Sequence, residues 1–167
     1  MDFFNKIKTV DEMADIVAAL KAEGKRVSAT GGCFDLLHPG HLYTLYHTKA
    51  HGDISLIMLN SDASIKRYKG EKRPVMPQDV RAKMIAAFEF VDFVLIFDED
   101  GPAETLSKVR PTRFCKGADY DPKNNGASLP KDELDAIEKH KIEVVYLPLI
   151  KDNSTSIIIN KILESFQ

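Results

Sequence analysis

Two imidazoles three residues apart, His38 and His41, are the side chains in this sequence best spaced for chemistry. They bracket Pro39-Gly40 at the end of the run Thr30-Gly31-Gly32-Cys33-Phe34-Asp35-Leu36-Leu37. Arg26-Val27-Ser28-Ala29 before the run reads as the end of a strand. Tyr43 to Ala50 after it, free of Gly and Pro, reads as a helix. A strand that passes through a glycine loop into a helix is the plan of a phosphate site. Glycine lets the backbone approach a ligand, and the helix start offers unpaired N–H groups with a partial positive charge of about half a unit. Pro39 suits the first helical position, and Gly40 leaves space over the helix end. Side chains three apart on a first turn share a face, so both rings can address one anion. Each can donate a hydrogen bond to a phosphate oxygen and so stabilise charge on a phosphoryl group in transfer. The competing readings are a helix cap, a surface residue or half of a metal site, although no further Cys/His cluster stands at zinc-ligand spacing.

Three other stretches carry groups of the same kind. Asn60-Ser61-Asp62-Ala63-Ser64 leads into Lys66 to Arg73, where eight residues hold five cations and one anion. By charge alone this is a solvated loop; by position, at the end of a strand, it is a loop that closes over a triphosphate. Arg81 beyond it reads equally as a helper or as a surface arginine. Cys115-Lys116-Gly117-Ala118-Asp119-Tyr120 again sets a cation and a glycine at a strand end, with Tyr120 placed to stack on a base or close a sugar pocket. The residues after it, 121–126, read as a flexible loop, either a lid or a structural turn. Asn153-Ser154-Thr155-Ser156 precedes an apolar run and reads as a helix start. A cap needs one hydroxyl; three in a row suit a phosphate. Asp98-Glu99-Asp100 could influence a magnesium ion, but capping and loop solubility explain it more cheaply.

The elements that must position these groups alternate. Strands are expected at 27–29, 54–59, 93–97, 113–115 and 144–147, and helices at 41–50, 78–88, 103–109, 131–139 and 156–165. The strands are continuous apolar runs, so both faces are buried. This order predicts an α/β fold of Rossmann-like type, a doubly wound parallel five-stranded sheet with helices on both faces. Ligands then sit beyond the carboxyl ends of the strands. The 167 residues form a single domain: an N-terminal helix in 1–24, opened by a capping box from Thr9 to Glu12 and packed on the main fold in 25–167. A net charge of −2 supplies no field for nucleic acid or an anionic membrane, so neither is expected as a partner. No apolar run approaches a membrane span, and the N-terminus lacks the order of a signal peptide. Two cysteines, Cys33 and Cys115, give no disulfide framework and read as small buried residues rather than nucleophiles. The expected compartment is the cytoplasm.

The stretch Gly32 to His41 resembles the H-x-G-H signature of the cytidylyltransferase-like nucleotidyltransferases. From about Gly24 to Leu163 the chain looks most like the adenylyltransferase unit of ADP-heptose synthesis, a unit often fused behind a sugar kinase. Asn60 to Val75 resembles that family's N-S-D-x-S-x-K-R-x-K-G-x-x-R-P-V loop, with Met76 where Asn is usual. Lys116 to Tyr120 resembles its K-G-x-D-Y segment, with Ala118 for a second Gly, and Ser154 to Ser156 its hydroxyl motif, with Ser156 where Thr is common. The resemblance implies catalytic roles for His38, His41 and Lys69. It implies nucleotide contacts from Gly32, Cys33, Phe34, Asp35, Gly40, Lys116, Gly117, Asp119, Tyr120, Ser154, Thr155 and Ser156. It implies substrate or phosphate contacts from Asn60, Asp62, Lys66 and Arg73. ATP is the implied substrate, with Mg2+ carried on its phosphates and no protein-held metal, and a symmetric homodimer is implied. A CTP-dependent glycerol-3-phosphate cytidylyltransferase is the rival, but those enzymes resemble R-T-x-G-I-S-T-T before the last helix. The matching Leu149-Ile150-Lys151-Asp152 has no arginine. A nucleotide-binding regulatory protein without turnover is the alternative of another class.

Overall fold

A computed structural model describes residues 3–124, 126–150 and 153–166. Asn125 in the 121–126 loop, and Lys151 and Asp152 within the stretch compared with the rival family's motif, lie outside the described residues. Six strands form one wholly parallel sheet: β1 Ile7–Lys8, β2 Val27–Gly32, β3 Ile54–Asn60, β4 Phe93–Phe97, β5 Arg113–Gly117 and β6 Glu143–Leu147. Their order across the sheet is β1-β4-β3-β2-β5-β6. The chain therefore builds outward from β2 to β3 and β4, then returns to set β5 on the other side of β2. That reversal makes the carboxyl ends of β2 and β5 the place where a crevice opens.

The helices are α1 Val10–Ala22, α2 Pro39–Ala50, α3 Asp62–Lys69, α4 Gln78–Ala86, α5 Ala103–Val109, α6 Lys131–His140 and α7 Thr155–Ser165. The apolar runs split by alternation between two cores. Leu56 and Met58 of β3, with Leu95 and Phe97 of β4, face Met13 and Val17 of α1, Leu106 and Val109 of α5, and Ala136 and Ile137 of α6. Ile57 and Leu59, with Val94, face Leu45 of α2 and Ala82, Ile85 and Ala86 of α4. Burial on both faces is why these strands read as continuous rather than alternating. The first helix is opened by the full capping box of Thr9 and Glu12 and stopped at Gly24, whose φ of 77° favours glycine.

Two elements differ from expectation. The sheet has six strands, because Ile7–Lys8 pairs with β4 at the edge; two residues are too few to show a pattern. The basic stretch 66–73 is not one loop: Asp62–Lys69 is a helix, capped by Ser61, whose side chain accepts from the Ser64 amide. Along α7, Ile157, Ile162 and Leu163 are exposed, as is Phe166 just after it. No helix among the described residues is long and apolar enough to cross a membrane.

Candidate active site

His38 caps α2: its Nδ1 accepts from the His41 amide at 3.4 Å, and Pro39 follows at the first helical position. An acceptor at Nδ1 places the proton of the neutral ring on Nε2. One nitrogen of His38 thus holds the helix and the other is left out of that bond, while His38 itself lines neither of the hollows that meet at His41. The two rings stack with centroids 3.7 Å apart. A Cβ on residue 40 would sit 3.0 Å from the His38 ring, so the absence of a side chain at Gly40 leaves that ring its place. Phe34, with φ of 43° and nearly buried, lies against His41 at 5.3 Å between centroids. A bulky residue in the left-handed region costs about 1–3 kcal/mol and persists where its surroundings demand it.

Burial, then the neighbouring His38 and Lys69 charges, push the His41 imidazole down to about 4, against a weaker pull upward from Asp35. His38 is also lowered, by burial. Both rings are thus neutral donors near pH 7, and Nδ1 of His41 is buried with no hydrogen bond of good geometry among the described residues. This has a cost in acid. The unfolded chain binds a proton at this imidazole below about 6.5, whereas the native chain does so only near 4. Between those values the unfolded state holds more protons, so stability falls as pH drops through that window, by at most about 3 kcal/mol. Urea titrations at pH 7, 6 and 5 should show this slope in the parent chain and a shallower one in His41→Gln. Equal slopes would remove His41 as the source.

Two adjoining hollows meet at His41. The smaller, about 290 Å³, lies between the ends of β2 and β5 and includes Gly32, Cys33, Phe34, Thr44, Gly117, Asp119 and Leu149. The larger, about 590 Å³, adds Asn60, Tyr68, Lys69, Asp100, Glu133 and Thr155. Gly31, Gly32, Cys33, His41, Lys116 and Tyr120 belong to both walls. A groove of about 610 Å³ between α5 and α6 contains none of these residues. Lys116 places its ammonium 3.0 Å from the buried Glu133 carboxylate and 4.6 Å from the Tyr120 ring centroid. A Cβ at Gly117 would press on the Asp119 carboxylate and come within 3.0 Å of Leu149, so a side chain there would displace both.

The remaining expected residues divide by what their charges meet. Asp35 is buried and accepts from Arg73 Nε at 2.9 Å and from the Val75 and Met76 amides at 3.0 Å. Asp35 and Arg73 thus pair with each other and tie the segment after α3 to the glycine loop, and neither lines the two hollows. Arg67 is held by Asp100 at 2.5 Å and by the Asp98 carbonyl. Glu99 accepts from the Thr105 amide at the start of α5. The acidic cluster is thereby explained by pairing and capping. Asp62 pairs with Arg81 at 2.7 Å. Lys69, paired with no carboxylate among the described residues, stands in the wall of the larger hollow, whereas Lys66 is exposed outside it. Ser154 caps α7 by accepting from the Ile157 amide at 3.2 Å. Thr155 reaches the hollow and Ser156 is exposed. Cys115 is buried with its sulfur 3.3 Å from Ser28 Oγ, while Cys33 bonds the Tyr68 hydroxyl at 2.5 Å.

The site includes groups that sequence reasoning did not pick out. Glu133 falls in the first turn of a helix, where an acid is ordinary. Tyr68 and Gly101 offer no local signal.

An imidazole pair at a helix start, under a glycine loop at the switch point of a parallel sheet, is matched by family-level similarity over residues 29–161. The chain belongs to the cytidylyltransferase-like family. It is a nucleotidyltransferase. Among its relatives, the Bifunctional protein HldE of Geobacter metallireducens is 41% identical over 161 residues, which is 96% of this chain and 32% of that protein. The same-named protein of Campylobacter jejuni is 50% identical over 120 residues, 72% of this chain and 25% of that protein. The chain spans about a third of the length of the first of these curated relatives. The crystal structure of a lipopolysaccharide core biosynthesis protein from Thermoplasma volcanium is similar at a TM-score of 0.59 and 27% identity, covering 78% of this chain and all of that one. A pantoate-beta-alanine ligase from Francisella tularensis shares the fold alone, at a TM-score of 0.56 and 13% identity over 90% of this chain and 68% of that one.

Proposed function

We propose that this nucleotidyltransferase moves AMP from ATP to a heptose 1-phosphate, releasing pyrophosphate and forming ADP-heptose. One observation carries the reading: His41 stands where two adjoining hollows, of about 290 and 590 Å³, share a wall. ATP enters with its base in the smaller hollow, against Gly117 and Leu149, and its phosphates at His41. An oxygen of the acceptor phosphate attacks the α-phosphorus as the bond to pyrophosphate breaks. That oxygen is already ionised, so no side chain need remove a proton. His41 donates to the oxygens on which charge builds, and Lys69 offsets the charge of the leaving group or the acceptor. Among the described residues no group of three or more His, Cys, Asp or Glu could hold a metal. Magnesium would accompany the nucleotide as part of the substrate.

The choice of ATP and heptose is supported by the Asn60 to Val75 resemblance, by the HldE relatives and by the lipopolysaccharide core biosynthesis neighbour. The test is pyrophosphate release from ATP with heptose 1-phosphate, run beside CTP with glycerol 3-phosphate. Turnover is expected in the first mixture and at least about 100-fold less in the second, the discrimination a pocket shaped for one base can supply. The reverse order would assign the rival cytidylyltransferase reaction. Nucleotide binding without release in either would leave a non-catalytic protein.

A further inference from the structure

The larger hollow is lined by groups of both charges, Lys69 at the end of α3 and Lys116 of β5 against the carboxylates of Asp100, Asp132 and Glu133. His41 comes from α2 and Lys69 from α3, whereas Glu133 comes from the start of α6, which packs with α5 on the other face. Glu133 is 3% exposed, and one of its oxygens, Oε2, meets Lys116 at 3.0 Å. The other, Oε1, looks toward Gly101, 3.5 Å from where a Cβ of that residue would stand; Gly101 also lines the hollow. A buried ion pair of this kind adds little stability over an apolar pair of the same shape, so packing alone gives no reason for a carboxylate here.

A site that takes two phosphorylated substrates repels them wherever it shows a carboxylate. The tolerable place for one is opposite an uncharged part of a ligand that has hydrogens to donate. An ionised carboxylate only accepts, and its hydrogen bonds to hydroxyls are among the strong ones. We infer that Glu133 is a specificity-determining residue for the acceptor, its carboxylate accepting from hydroxyls of a polyol phosphate whose phosphate is turned to His41 and Lys69. Lys116 holds the carboxylate in place and offsets its charge beside the incoming anions. This rests on the reading of the chain as a sugar-phosphate nucleotidyltransferase.

The test compares Glu133→Gln and Glu133→Asp with the parent chain, using whichever acceptor phosphate the parent turns over. Glu133→Gln is expected to raise the acceptor KM roughly 10-fold or more, as expected for loss of a charge-assisted hydrogen bond, with the KM for the nucleotide within about twofold. Glu133→Asp keeps the charge on a shorter stem and is expected to fall between. Singly deoxygenated acceptors, assayed on the parent chain, need no variant to fold. One of them should lose most of its affinity for the parent and little further for Glu133→Gln. Equal losses in acceptor and nucleotide KM, or additive losses in that pairing, would overturn the role of Glu133 while leaving the adenylyltransfer reading intact. A parent chain that ignores heptose 1-phosphate but uses another polyol phosphate would end the heptose reading and leave the Glu133 comparison to be decided on that substrate. A parent chain that uses no polyol phosphate would end both.

Discussion

His41→Ala is expected to lower kcat by roughly 100-fold or more, with the fold intact. A positioned donor to developing phosphoryl charge contributes about 2.7–4 kcal/mol in comparable sites, which corresponds to a factor of about 10² to 10³. The neutral state of His41 suits this role. Burial holds its imidazole down to about 4, and a bound triphosphate supplies negative charge that pulls it back up. The ring then becomes a stronger donor as the reacting phosphate accumulates charge. The expected signature is a loss in kcat larger than any rise in the nucleotide KM, because the interaction tightens in the transition state. A near-parental rate would remove His41 from the mechanism.

His38 needs a different pair of variants, because it also caps α2. His38→Ala removes both functions and should lose about 1 kcal/mol of stability together with turnover. His38→Asn restores an acceptor for the helix start without an imidazole. It should recover the stability and not the rate. Recovery of both would reduce His38 to a cap, the bland alternative that the helix-start position always allowed.

How much of this was legible in the sequence depended on how far apart the interacting residues lie. The imidazole pair, its proline and its glycine are contiguous, so local rules reached them. The order of strands and helices was legible because strands buried on both faces are continuous apolar runs bounded by turns. α3 was not. Asp62–Lys69 carries one large apolar residue that is buried, Ile65, among charges, and high charge density at a strand end reads as loop. The pairing of Asp35 with Arg73 across 38 positions left no trace in spacing. Two of the five cations expected over a triphosphate are therefore paired within the protein, Arg67 with Asp100 and Arg73 with Asp35, and of the other three, Lys69 lines the larger hollow whereas Lys66 and Lys72 are exposed outside it.

Arg81→Met is expected to be the most destabilising single change in the chain outside its apolar cores. An arginine on a helix is ordinarily exposed, yet this one is 1% exposed. Its Nε donates to the Met76 carbonyl at 2.9 Å, Nη1 to the Cys33 carbonyl, and Nη2 to the Asn60 carbonyl at 3.0 Å and the Asp62 carboxylate at 2.7 Å. One guanidinium thus joins the glycine loop, the end of β3, the start of α3 and the segment before α4. Methionine fills similar space but leaves three carbonyls without their donor. Asp62 is about a third exposed and can rehydrate, so the carbonyls dominate the loss. The cost is about 3–5 kcal/mol, which lowers Tm by roughly 10 °C for a chain of this size. Arg81→Lys restores charge but not the planar fork and should recover only a small part. Because the Cys33 and Asn60 carbonyls sit behind the walls of the hollows, the variant should also raise KM for both substrates together, unlike Glu133→Gln. Thermal unfolding beside steady-state kinetics reads both effects, and a Tm within about 2 °C of the parent, less than 1 kcal/mol, would show that water replaces the guanidinium without loss.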